Sequence, residues 1–167
     1  MDIVDLILLP WWFALPGYVG NICPGFARKL PCGTIPVSIQ YLGPNKTWMA
    51  VPASIFGATL SAFFQSFITY TSTYPSLNWP EIAICFGLGV PLGDWTKSFF
   101  KRRLGITPGG KWWIEKIDFL LASFLLLTLL GGVLPIPYYI VPIGFYLLVH
   151  GPGNRLSYRL GWRNTPH

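Results

Sequence analysis

The sequence predicts an all-α fold: one integral membrane domain, residues 1–167, built as a bundle of five transmembrane helices with the N-terminus outside and the C-terminus cytoplasmic. Three observations carry this. Hydrophobic residues make up 52% of the chain and charged ones only 11%, well below the roughly 25% charged of soluble domains. The apolar runs recur along the whole chain, leaving no separate soluble domain. Finally, every Lys and Arg falls in alternate connecting segments.

A bilayer span takes about 20 mostly apolar residues, and five segments compete for that role, the last two of them short. Residues 3–19 form the first, interrupted by Pro10 and Pro16. This segment is expected to be retained, because Asp2 and Asp5 stand where a signal peptide has basic residues. Residues 48–71 carry no charge and form the second. Residues 82–100 begin as a clean apolar helix and then acquire Asp94 and Lys97, so the second half must leave the lipid or face the bundle interior. Residues 117–134 and 138–149, separated by a Pro-Ile-Pro turn, read as a helical hairpin.

Orientation follows from the basic residues, since the more basic short loops stay cytoplasmic. Arg28, Lys29 and Lys46 lie between spans one and two. Lys97, Lys101, Arg102, Arg103, Lys111 and Lys116 lie between spans three and four, and Arg155, Arg159 and Arg163 follow span five. The net charge of +6 is thereby a topology signal; no nucleic-acid partner follows from it, and an anionic lipid surface is the expected neighbour. The expected location is the cell membrane, as a multi-pass protein. Composition says nothing of the oligomeric state.

Cys23, Cys32 and Cys85 have neither zinc spacing nor the even count of a disulfide framework. The Asn-Lys-Thr at 45–47 matches a glycosylation sequon, but the topology puts it inside. GLGVPLG at 87–93 follows no strand, so it is no dinucleotide fingerprint; Gly89 and Gly93, four apart, instead let another helix approach closely. Lipid chains are expected between helices near these two glycines.

Charge concentrates in GDWTKSFFKRRLGITPGGKWWIEKID, residues 93–118, which holds three of the six acidic and six of the twelve basic residues. If the third helix continues past Asp94, then Asp94, Lys97, Ser98, Lys101 and Arg102 share one face, while Trp95, Phe99 and Phe100 point elsewhere. Such a stripe must face protein or a water-filled cavity, and one acid among several bases suits a phosphate bound with its metal ion. Glu115 and Asp118, three apart at the start of the next helix, bring two more carboxylates to the same edge, beside the interfacial anchors Trp112 and Trp113.

Blander readings stand beside this one. Basic residues at a cytoplasmic helix end are commonly topology determinants, and Glu115 could serve only the helix dipole. Asp94, which would cost about 2.5–3.5 kcal/mol at a helix centre, could be a structural ion pair with Lys97 or Lys101, or a functional group. A transporter using Asp94 as an intramembrane ion or proton site is the alternative function. It would need polar residues near mid-membrane in several spans, and the second offers only Gln65 and small hydroxyls.

The same stretch resembles the signature of the CDP-archaeol synthase family, which runs approximately G-D-x-x-K-S-x-x-K-R-R-x-G, then P-G, then an acidic pair closing in D-F. It is similar in arrangement to the CDP-diacylglycerol synthases. Upstream, PGYVGNICP at 16–24 is similar to the family's P-x-x-x-x-N-x-x-P, and GPNKTW at 43–48 to its G-x-x-K-T-W. The resemblance covers nearly the whole chain. It departs in two places: Glu115 stands where the family usually has Asp, and Met49 and Ala50 replace the usual Arg-Gly.

The resemblance implies a nucleotidyltransferase that moves CMP from CTP to a prenylated glycerol phosphate lipid, 2,3-di-O-geranylgeranylglycerol 1-phosphate, releasing pyrophosphate. It further implies Mg2+, one ion or two, held by Asp94, Glu115 and Asp118. Lys97, Lys101 and Arg102 would hold the triphosphate and the lipid phosphate, with Ser98 donating a hydroxyl. Asn21, Lys46 and Thr47 would close the nucleotide site. The catalytic set is then Asp94, Lys101, Arg102 and Asp118. Pro108, Gly109 and Gly110 would shape the connecting loop.

Overall fold

The computed structural model describes residues 2–68, 78–106 and 116–159. A π-helical turn, Val4–Leu8, leads into α1 (Leu9–Phe13) and α2 (Leu15–Ala27). Then follow α3 (Ala50–Ser66), α4 (Trp79–Arg103), α5 (Asp118–Leu129) and α6 (Pro137–Arg159). Among the described residues there is no β-strand beyond an isolated bridge between Pro36 and Thr47.

The first span and its neighbour are joined by the consequence of a proline. Pro16 has no N–H, so the carbonyl of Trp12, four residues earlier, loses its helical donor. The Gln65 side chain of α3 donates to that carbonyl at 2.5 Å while lying almost wholly buried. The one amide of the second span is therefore used to mend a helix break, which is a structural role. Helix α2 then runs through Pro24 to Ala27, well beyond the expected end at residue 19. PGYVGNICP accordingly lies wholly within the helix.

Small residues let the helices approach closely. A Cβ on Gly17 would run into the Phe86 ring, and one on Gly57 would meet Cys23 Sγ. On α4, a Cβ on Gly89 would collide with Ser123, and one on Gly93 with the backbone of Asp118 and Phe119. The close approach read at Gly89 and Gly93 is thus made by α5, and α5 leaves no space there for the lipid chains expected beside these glycines. Around the seam, Phe86, Phe119, Leu120, Phe124 and Leu127 form the apolar core.

Helix α6 packs mainly on the first helical segment, so the two helices of the expected hairpin follow one another in the chain but pack little on each other. Its partners explain this: the Tyr18 hydroxyl donates to the Pro142 carbonyl at 2.7 Å, and the Tyr18 and Tyr146 rings stack at 5.8 Å. Helix α6 also continues ten residues beyond the expected end of its span at 149.

By length and composition, one described helical stretch, Asp5–Ala27, is apolar enough on its own to cross a membrane; Asp118–Leu129 is apolar but shorter. The exterior supplies the rest of the membrane character. Phe56, Phe64, Phe67, Leu125, Leu129, Ile140 and Leu148 are all exposed on helices whose other faces form the core. So much outward apolar surface, contributed by three helices, belongs to a membrane protein.

Candidate active site

The centre forms where the start of α3, the second half of α4 and the start of α5 meet. Helix α4 does continue past Asp94, as one helix to Arg103. Its single acid near the start, Glu81, is already used: its carboxylate accepts the Asn78 N–H at 2.9 Å. Asp94 and Lys97, one turn apart, are paired at 2.9 Å.

The loop before α3 brings a second cation. Val37 N–H donates to the Lys46 carbonyl at 2.7 Å, and Trp48 N–H donates to the Ile35 carbonyl at 3.1 Å. This pairing of 35–37 with 46–48 buries Thr47 and turns Lys46 toward α4. The Trp48 ring packs edge-on against Trp95 at 5.8 Å, one residue beyond Asp94. As a result Lys46 Nζ donates to both Asp94 oxygens, at 2.6 and 2.5 Å.

Asp118 completes the set from α5. As the first residue of that helix its carboxylate lies where the backbone N–H groups are unpaired and the dipole favours negative charge; Oδ1 accepts the Phe119 N–H at 2.9 Å. Its Oδ2 faces Lys97 Nζ at 2.7 Å, which makes an ion pair rather than a well-directed hydrogen bond. The close contact of Gly93 with the Asp118 backbone fixes this register. The outcome is a chain of alternating charge, Lys46–Asp94–Lys97–Asp118, that passes from the loop through α4 to α5. Asp118 and Lys97 are mostly buried, while Asp94 is the most open side chain of the four at 35%.

The remaining predicted residues fall in three groups. Ser98 is buried and its hydroxyl donates to the Asp94 carbonyl at 2.8 Å, an internal bond of the helix. Lys101 is buried on the same stripe. Arg102 lies further along, its Nη1 donating to the Ile106 carbonyl at 2.5 Å. Asn21 is held apart from the charged chain, donating to the Tyr146 hydroxyl at 3.1 Å. Glu115, together with Pro108, Gly109, Gly110, Lys111, Trp112 and Trp113, lies outside the described residues.

Sequence reasoning missed three residues here. Gln40 and Tyr41 of the loop, with Phe99, Arg102 and Arg103 of α4, line a cleft of about 310 Å³. Phe99, expected to point away from the polar stripe, borders that cleft, with the Arg103 guanidinium 5.2 Å over its ring. Loop residues carry no periodicity, so no pattern marked Gln40 or Tyr41 beforehand.

Two carboxylates and two ammoniums meet at one end of an apolar helical bundle, the charged centre of a membrane protein. Over residues 3–167 the chain matches the family described as CarS-like: CDP-archaeol synthase, and it belongs to that family. It is accordingly an enzyme, a cytidylyltransferase of archaeal lipid biosynthesis. It is 29% identical to the CDP-archaeol synthase of Methanospirillum hungatei, covering 91% of this chain and 99% of that one. It is 28% identical to that of Thermococcus kodakarensis, covering 99% of each. Its fold is similar to a solved structure described as an intramembrane enzyme for archaeal membrane lipids biosynthesis, with a TM-score of 0.73 and 24% identity, over 89% of this chain and 94% of that one.

Proposed function

We propose that the protein transfers CMP from CTP to 2,3-di-O-geranylgeranylglycerol 1-phosphate at the cytoplasmic edge of the cell membrane, giving CDP-archaeol and pyrophosphate. The observation that carries this is the Lys46–Asp94–Lys97–Asp118 chain. An ionised oxygen of the lipid phosphate forms a bond to the α-phosphorus of CTP while the bond from that phosphorus to the bridging oxygen breaks. The electron pair leaves with pyrophosphate. Because the attacking oxygen is already ionised, no general base is needed, and the protein contributes position and charge.

The donor set fits a divalent ion. Lys97 Nζ lies 2.9 and 2.7 Å from oxygens of two different carboxylates, so a compact cation already finds favourable ground between them. Mg2+ shares its oxygen shell between carboxylates, water and substrate phosphate, and Asp94 and Asp118 offer such carboxylate oxygens. Asp94 and Asp118 would hold one ion or two, joined by Glu115, and the bound metal would neutralise charge on the phosphate oxygens. Lys46 and Lys97 are then free to exchange a carboxylate for the triphosphate, each as a flexible point charge. Lys101 and Arg102, further along α4, extend the positive field. Asn21, Thr47 and Ser98 support the walls, the first through Tyr146.

Transport through Asp94 is the weaker reading. Gln65 is engaged in closing the break at Pro16, and the charged chain sits at one end of the bundle, not at a midplane relay. The test is direct. Purified protein incubated with labelled CTP, Mg2+ and the lipid phosphate should release pyrophosphate only when the lipid is present. Pyrophosphate release without lipid, or none with it, rejects the proposal.

A further inference from the structure

Helix α6 packs little on α5, yet one of its side chains reaches the turn that carries Asp118. The Tyr146 ring meets the Phe119 ring edge-on, their centroids 4.8 Å apart. Phe119 is buried, and its N–H donates to Asp118 Oδ1 at 2.9 Å. The Tyr146 hydroxyl accepts from the Asn21 amide of α2 at 3.1 Å, and the ring stacks on Tyr18 at 5.8 Å, within 4° of parallel. Tyr18 is itself tied back to α6 through the Pro142 carbonyl, which holds the stack in place. One half-buried side chain thus links α2 at Asn21 and α5 beside Asp118 to its own helix.

Resting on the cytidylyl-transfer reading, we infer that Tyr146 is a positioning residue of the reaction, its ring setting Asp118 through Phe119 and its hydroxyl setting the Asn21 amide. Gly93 fixes the register of α5 along α4 through a backbone contact. Such a contact leaves the first turn of α5 able to tilt about it, and the Phe119 ring, held by Tyr146, opposes the tilt. Edge-to-face pairing is directional, and Asp118 adjoins Phe119, so a turn that tilts with Phe119 carries the carboxylate with it. A displacement of about 1 Å at a reaction centre costs on the order of a hundred-fold in rate. The hydroxyl acts on a different group. An amide offers donors at one end and an acceptor at the other, and the Tyr146 oxygen fixes which end of Asn21 faces α6. Ring and hydroxyl therefore have separable effects.

The test uses the full-length protein in detergent and compares Tyr146→Phe, which keeps the ring, with Tyr146→Leu, which loses both ring and hydroxyl. CMP transfer gives kcat. Equilibrium dialysis of labelled CTP across an Mg2+ titration, with no lipid present, reads the site without turnover. Tyr146→Leu is expected to lower kcat per folded molecule by about ten- to a hundred-fold and to raise several-fold the Mg2+ concentration that half-saturates CTP binding. Tyr146→Phe is expected to restore both, while still binding CTP about five-fold more weakly than wild type, the worth of one neutral hydrogen bond. Phe145→Leu, whose ring packs on Trp11 and Tyr18, is the packing control and should lower thermal stability alone. The assignment is overturned if Tyr146→Leu behaves as that control does, or if Tyr146→Phe leaves CTP affinity at the wild-type value. The second outcome decides even where Tyr146→Leu does not fold. Wild-type protein that binds CTP with Mg2+ yet transfers nothing to the lipid counts against the proposed reaction, and the dialysis then still tests Tyr146.

Discussion

At the scale of single residues, Asp94 decides between structure and chemistry, because it touches both Lys46 and Lys97. Asp94→Asn and Asp118→Asn each keep size while removing charge. Each is expected to lower CMP transfer by about two to three orders of magnitude, the scale seen when one fixed electrostatic contact is lost at a reaction centre. Activity remaining in either variant should recover partly as Mg2+ is raised, while thermal unfolding stays cooperative. A purely structural ion pair predicts the opposite pattern, with lowered stability at every Mg2+ concentration and normal turnover in the folded fraction. Glu115→Asp, which restores the residue usual in the family, should be the mildest change. Retention of near-normal, Mg2+-dependent transfer by both Asn variants would remove these carboxylates from the metal site. The sequence reveals Asp94 and Lys97 as partners because they are one helical turn apart. It does not reveal that Lys46, distant along the chain, completes the pair, since that contact depends on how the loop at 35–48 folds. Ser98 shows the reverse: its place on the stripe is legible, but its hydroxyl is spent on the carbonyl four residues back, a bond that spacing alone does not disclose.

At the scale of helices, the site depends on the seam between α4 and α5. The register that sets Asp118 against Lys97 is fixed where Gly93 meets the backbone of Asp118 and Phe119. Gly93→Leu forces these backbones apart and should destabilise the protein by about 1–3 kcal/mol, the usual cost of overpacking. It should also lower turnover well beyond the loss of folded protein. Gly144, where a new Cβ meets nothing within 4 Å, gives the control, because Gly144→Ala should leave both stability and CMP transfer close to wild type. Thermal melts with turnover per folded molecule check the pair; equal behaviour of the two variants would show that the seam does not position Asp118. Helix existence was readable from the apolar runs, and helix ends were not. Pro24 does not stop α2, because α3 and α4 pack on that helix and hold it. Helix α6 outlasts its apolar run because a helix can continue once it has left the lipid.

At the scale of the whole molecule, the end that carries the charged chain should face the cytoplasm. The start of α3, the later part of α4 and the start of α5 meet there, and Arg28, at the end of α2, donates to the Asn45 side chain at 3.1 Å. Arg28, Lys46 and Lys97 thus lie with the candidate site at one end of the bundle, and the positive-inside rule places the cytoplasm, where CTP is available, at such a basic end. Two probes of the same loop are at hand. Cys32 is exposed and free, and Asn45 is exposed, so a cysteine introduced there, in a background without Cys32, reports independently. A thiol reagent that cannot cross membranes is expected to leave both positions unlabelled in intact cells and to label both after permeabilisation. Labelling of either position from outside would put the loop that carries Lys46 on the wrong side for a cytosolic nucleotide. The orientation and the catalytic assignment would then fail together, because Lys46 reaches Asp94 only from that loop.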